Sequence, residues 1–167
     1  MDEDLKQLFG KIMEENKQRI LRICSVYAGN WEDQKDLYQE VALNIWKSLP
    51  SFHGGAMLNT WVYRVCLNVC MQYSITLRKN KSSSNSLEGI KILDNGSDPQ
   101  NTLEFAEKKK QMYQCISKLN DAQKSLILLF LEDLSYKSIS DILGITENHV
   151  AVKLARIKKK LFNCIND

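Results

Sequence analysis

"DILGITENHVAVKLARIKKKL", residues 141–161, is the stretch that decides how this chain folds. Two apolar-periodic segments flank a Gly–Ile–Thr turn, and the second ends in Arg156, Lys158, Lys159 and Lys160. Two helices that cross steeply over a short turn need a small residue inside the first helix and a glycine that can take positive φ at the turn. They also need a branched apolar residue on the second helix, facing the first. Ser140, Gly144 and Val150 stand at those three positions, so the stretch reads as a helix-turn-helix. On its second helix Val150, Leu154, Ile157 and Leu161 form one stripe. At about 100° per residue the opposite face carries Asn148, Ala151, Val152, Ala155, Arg156 and Lys159, with Lys153 and Lys160 on the flanks. No acid occurs between Glu147 and Leu161. A face that is small, uncharged and basic suits a DNA major groove. The lysines would meet phosphates, Arg156 a guanine edge, and Ala151, Val152 or Ala155 the thymine methyls.

Outward from this stretch, the composition favours helix. Only two prolines and seven glycines occur in 167 residues, and long stretches carry Leu, Ile, Lys, Glu and Gln. Between Arg78 and Pro99 the chain reads "RKNKSSSNSLEGIKILDNGSDP", where Ser, Asn, Gly and Asp dominate and helical periodicity stops. This predicts an all-α protein of two small helical domains, 1–79 and 101–167, joined by a flexible linker over 80–100 in which "LEGIKIL" could hold a short structured patch. The net charge of +3 is too small to name a partner, but it is unevenly spread: residues 1–79 carry +1, 80–100 carry −1, and 101–167 carry +3.

In the first half helices are expected over Leu5–Tyr27, over Asp36–Leu49 with Asp36 as N-cap, and from Trp61 to about Leu77 with Thr60 as cap. The second of these puts Leu37, Val41, Ile45 and Leu49 on one stripe. The third draws its apolar face from Trp61 or Val62 with Val65, Cys66, Val69 and Cys70. In the second half helices are expected over Thr102–Leu119, after a cap at Asn120 or Asp121, over Tyr136–Leu143 behind Ser135, and from Thr146 to about Phe162.

Several function classes are disfavoured. The five cysteines contain no C-x-x-C pair; Cys66 and Cys70 share a helix face, but neither His53 nor His149 lies at a ligand-like spacing, so they read as buried, reduced core thiols. Reduced thiols suit the cytoplasm. The acidic start "MDEDLKQ" is unlike a signal peptide, and the apolar run "LILLFL" is far too short to span a bilayer, so no membrane insertion is expected. No Ser/His/Asp order, metal cluster or Gly-rich phosphate loop is present, which points away from an enzyme and from any cofactor.

The segment "LSYKSISDILGITENHVAVKLARIKKKL", preceded by "ISKLNDAQKSLILLFLEDLSY", resembles region 4 of the sigma-70 family of transcription initiation factors. In the first half "DLYQEVALNIWKSLPSF" followed by "TWVYRVCLNVC" resembles region 2 of the same family. Two such regions joined by a linker look like the extracytoplasmic-function group. The resemblance implies a factor that binds core RNA polymerase and directs it to promoters. It implies that Asp36, Gln39, Glu40, Asn44 and Trp46 dock on the polymerase. The loop Phe52–Thr60, with Phe52, His53, Asn59, Thr60, Trp61, Arg64 and Asn68, would capture a base flipped from the −10 element, and Arg64, Arg78, Lys79 and Lys81 could steer the single strand. Lys153 and Arg156 match contacts to the −35 element. Ala151 and Val152 stand where relatives often carry polar or basic residues, which implies fewer hydrogen bonds there. A linker of about 20 residues reaches about 70 Å, enough for two turns of DNA. The family often has a membrane-anchored anti-sigma factor that clamps the two halves. The rival reading is a helix-turn-helix regulator that acts on DNA without polymerase docking; it leaves the first half unexplained.

Overall fold

Helix-favouring runs, broken by Asn, Pro, Gly and Ser at intervals, give helix after helix. The computed structural model describes residues 2–54, 57–80 and 103–167, and contains α1 (Asp2–Tyr27), α2 (Trp31–Ser48), α3 (Leu58–Lys79), α4 (Leu103–Ser117), α5 (Asp121–Leu131), α6 (Tyr136–Leu143) and α7 (Glu147–Asn166). A single 3-10 turn, Leu49–Ser51, follows α2. No strand occurs among the described residues. The chain divides into two compact units, Met1–Lys91 and Ile92–Asp167. Of the linker expected at 80–100 only Asn80 is among the described residues; the rest of it, "LEGIKIL" and Lys81 included, lies outside them, as do Gly55 and Ala56 of the loop Phe52–Thr60.

In the first unit α1, α2 and α3 pack on one another. The stripe expected on α2 is buried as a whole: Leu37, Val41, Ile45 and Leu49. On α3 the buried face is Val62, Tyr63, Cys66, Leu67 and Cys70, so Val65 and Val69 are only half-buried, one helix position off the expected stripe. Both expected caps in this unit are corrected. α2 starts earlier, because Asn30 is extended (φ −147°, ψ 169°) and its side chain accepts the Asp33 N–H at 2.9 Å; the turn before Asp36 is held inside by Gln34, which is buried. Asp36 therefore lies within the helix. α3 starts before Thr60, since the Trp61 N–H already donates to the Met57 carbonyl at 3.1 Å and leaves Thr60 in the first turn.

In the second unit the local signals match the structure closely. Asn120 caps α5 in a reciprocal capping box with Gln123, Ser135 accepts the Ser138 N–H at 3.0 Å, and Thr146 accepts the His149 N–H at 3.1 Å. Gly144 ends α6 in the left-handed region (φ 70°, ψ 31°), and its N–H donates to the Ser140 carbonyl at 2.9 Å. The Ser140 hydroxyl donates across the turn to the Ile145 carbonyl. Val150, Leu154, Ile157 and Leu161 are all buried, and α7 continues to Asn166, beyond the expected end near Phe162.

Cys66 and Cys70 are free and buried as expected, but two other cysteines are joined. Cys115 of α4 and Cys164 of α7, 49 residues apart in sequence, lie with Cα atoms 6.0 Å apart and form a disulfide. Packing of α4 on α7 brings the two together, which spacing along the chain does not reveal. Cys24, Cys66 and Cys70 are free and buried in the first unit. They hydrogen-bond to one another, and burial pushes the Cys70 thiol well above its usual range.

Gly144→Ala isolates the conformational cost of the turn, because a Cβ built at Gly144 meets nothing within 4 Å. The expected loss is about 1–2 kcal/mol, the left-handed penalty alone. Urea denaturation should show it; an unchanged midpoint would mean that the turn relaxes to negative φ.

Candidate nucleic-acid interface

The α7 stripe that faces the rest of its unit fixes what the other side presents. Asn148, Val152, Lys153, Ala155, Arg156, Lys159 and Lys160 are exposed, and Ala151 is half-buried, so its methyl is the least available of the set. Lys158 separates from this group: its Nζ lies 4.2 Å from the centroid of the Phe130 ring on α5. All four cations that close the opening stretch are exposed on the helix, and Lys158 is in addition engaged within its own unit.

A cleft of about 230 Å³ lies between the start of α5 and α7, lined by Asn120, Ala122, Gln123, Leu126, Lys153, Arg156 and Ile157. Two cations therefore stand beside a helix N-terminus, whose N–H groups carry partial positive charge. This suits a phosphate. Asn120 and Gln123 gave no sequence signal for it, being about 30 residues away from Lys153 and already legible as a cap.

In the first unit the residues matched to polymerase docking fall into two groups. Asp36, Glu40 and Asn44 line a groove of about 510 Å³ between α2 and α3, together with Asn68, Gln72, Tyr73 and Thr76. Asn44 donates to the Glu40 carbonyl at 2.8 Å, and Asp36 and Glu40 are exposed. Gln39 and Trp46 lie on the other flank of α2, with Trp46 edge-on to Phe9 of α1 at 5.3 Å between centroids. Asn68, matched to −10 recognition, thus shares its groove with three residues matched to docking. Gln72 and Thr76 follow Asn68 at successive i+4 steps, the one signal in the sequence that could have found them. Burial, followed by the Asp33 carboxylate, raises the Tyr73 phenol above its ordinary value of 10.

The remaining residues matched to −10 recognition gather at the start of α3. Phe52 and Trp61 are half-buried with ring centroids 5.2 Å apart, so they brace the base of the loop against each other. His53, Asn59 and Arg64 are exposed and Thr60 is half-buried. Asn68 lies two helical turns further along α3. Among the described residues no group of three or more His, Cys, Asp and Glu side chains is arranged to hold a metal ion, and no helix is long and apolar enough to cross a membrane.

Fold and site together define a DNA-binding class: two helical units, one of them a helix-turn-helix with an exposed basic recognition face. Residues 12–82 match the family described as Sigma-70 region 2, and residues 109–161 match Sigma-70, region 4. This chain belongs to the sigma-70 family, in its extracytoplasmic-function group. It is 25% identical to the ECF RNA polymerase sigma factor SigW of Bacillus subtilis (strain 168), covering 95% of this chain and 89% of that protein. It is 23% identical to the ECF RNA polymerase sigma-E factor of Escherichia coli (strain K12), covering 95% and 86%. Among solved structures, CnrH in complex with the cytosolic domain of CnrY aligns with a TM-score of 0.67 at 16% identity, over 96% of this chain and 89% of that one. The sigma factor RpoE in complex with the anti-sigma factor NepR from Bartonella quintana aligns with a TM-score of 0.65 at 15% identity, over 93% and 97%.

The different positions of the α7 cations predict different effects. Lys158→Ala should cost about 0.5–1 kcal/mol through the lost contact with Phe130. Lys159→Ala should stay within about 0.5 kcal/mol, as an exposed substitution. Parallel denaturant titrations check this, and equal midpoints for the two variants would remove the assigned role of Lys158.

Proposed function

We propose that this chain is a bacterial transcription initiation factor, which binds core RNA polymerase and directs it to specific promoters. The observation that carries the reading is the exposed basic face of α7 behind the Gly144 turn, in a chain whose other unit also matches the family. In this reading 1–79 forms the polymerase and −10 module, 80–100 the connection, and 101–167 the −35 module. α7 enters the −35 major groove, with Arg156 at a base edge and Lys153, Lys159 and Lys160 on phosphates, while Asn148, Val152 and Ala155 lie along the groove.

Asp36, Gln39, Glu40, Asn44 and Trp46 dock on polymerase. Phe52, His53, Asn59, Thr60, Trp61, Arg64 and Asn68 receive the −10 strand, and the tilted ring pair Phe52–Trp61 supports the loop that holds a flipped base. Flipping costs a few kcal/mol of unstacking, which a preformed amide-lined site such as the Asn68 groove helps to offset. The factor acts in the cytoplasm, where its DNA is. It has no catalysis of its own; bond formation belongs to the polymerase. The two solved relatives are each described in complex with a partner, and a partner of the anti-sigma type is proposed here as well.

Run-off transcription from a promoter library with core polymerase, at fixed salt, tests the reading. The wild-type chain should direct initiation at a shared pair of elements. Arg156→Ala should relax the upstream element at a cost of about 1–3 kcal/mol, and Asn68→Ala should act on the downstream one. No specific start with polymerase, alongside a shift of duplex DNA by the chain alone, would replace this reading with an independent DNA-binding regulator.

A further inference from the structure

The disulfide between Cys115 and Cys164 brackets the helix-turn-helix. Between the two cysteines lie α5, α6, the Gly144 turn and every α7 residue assigned to DNA. Cys164 falls one heptad beyond Ile157, so it continues the buried stripe and faces away from Asn148, Val152 and Lys159. The bond therefore ties down the recognition helix from behind and leaves its reading face open.

The end of α7 has little else to hold it. Leu161 is its last buried residue; Phe162 is 68% exposed and Ile165 38% exposed, while Asn163 and Asn166 are exposed as well. Cys164 is the one half-buried position in that final turn, and its bond to Cys115 supplies the anchor. The sulfurs also differ in access, because Cys115 is buried at 6% exposure whereas Cys164 is half-buried. An oxidant reaches Cys164 first. Cys24, Cys66 and Cys70 lie buried in the other unit and take no part.

A protein that binds chromosomal DNA works in a reducing compartment, where disulfides are transient and redox-sensing, not permanent. We propose that Cys115 and Cys164 form a reversible redox site whose oxidation staples α4 to the end of the recognition helix. The compartment argument rests on the function proposed above; the crosslink itself does not. In the forward direction the Cys164 thiolate attacks a peroxide, the O–O bond breaks, and Cys164 becomes a sulfenic acid while the peroxide leaves as alcohol or water. The Cys115 thiol then attacks the Cys164 sulfur, and the sulfenic oxygen leaves as water, taking up the thiol proton. Two thiols are oxidised and one peroxide is reduced. A dithiol reductant reverses the bond by exchange and is itself left as a disulfide.

The test uses the full chain, treated with hydrogen peroxide, quenched, alkylated and mapped by mass spectrometry, with a second aliquot returned through dithiothreitol. Cys115 and Cys164 should become protected together and be released together. Reduction of the wild type should lower the melting temperature of the C-terminal unit by about 10 °C or more, since the closed loop is long. It should also speed amide exchange over residues 161–166. Cys164→Ser should melt like the reduced wild type, with or without reductant. Should Cys115→Ser fail to fold, the wild type compared with and without reductant carries the same test. The proposal is overturned if both thiols of the folded chain still alkylate after peroxide, if dithiothreitol does not reopen the bond under native conditions, or if melting and exchange ignore the redox state. None of these readouts involves DNA or polymerase, so failure of the promoter reading leaves them unaffected.

Discussion

Everything the second unit can do depends on burying four side chains of α7. Val150, Leu154, Ile157 and Leu161 are at most 7% exposed, and a fully buried aliphatic side chain stabilises by about 1.5–3 kcal/mol. Together they are worth as much as the whole net stability of a small domain. The left-handed turn at Gly144 is worth far less, but it does something the stripe cannot. Hydrophobic burial is non-directional, whereas a C-cap with the Gly144 N–H on the Ser140 carbonyl fixes where the second helix departs. The stripe keeps α7 in place, and the turn decides which of its faces looks outward.

The first unit solves a different problem with the same means. α2 buries Leu37, Val41, Ile45 and Leu49 on one side and leaves acids and amides on the other. By itself that is an ordinary amphipathic helix. What makes the outer face specific is its neighbour: α3 runs beside it and closes a groove in which Asp36, Glu40 and Asn44 meet Asn68, Gln72 and Thr76. Residues proposed for docking and one proposed for strand recognition, Asn68, then line a single groove. A change on one wall alters the shape offered by the other.

Legibility in the sequence followed range. Caps read from three or four adjacent residues, at Asn120, Ser135, Thr146 and Gly144, match the structure, because their hydrogen bonds are local. Asp36 and Thr60 misled as caps although both are good capping residues. Thr60 sits in the first turn of its helix and Asp36 in the second turn of its own, and each start was set elsewhere, by Met57 in the one case and by Asn30 in the other. The groove and the α5–α7 cleft were hidden because each joins two elements. The Cys115–Cys164 pair was hidden for the same reason, across 49 residues. Cys66 and Cys70, one turn apart, were legible as a shared face, but Cys24, which completes their cluster, was not.

The run of cations at 156–160 shows why charge counting alone could not settle the function. A net charge of +3 is compatible with almost any partner, and a basic helix end is commonly just solvated. Helical geometry separates the run. Lys158 turns onto Phe130, Arg156 reaches the cleft at the start of α5, and Lys159 lies opposite the buried stripe. A solvated end would have no reason to combine this sorting with a small, acid-free face. Phosphates on either side of a groove would supply that reason, because they require cations on the flanks and small residues between them. The basic charge is therefore informative through its direction, and that direction is set by four apolar side chains and one glycine.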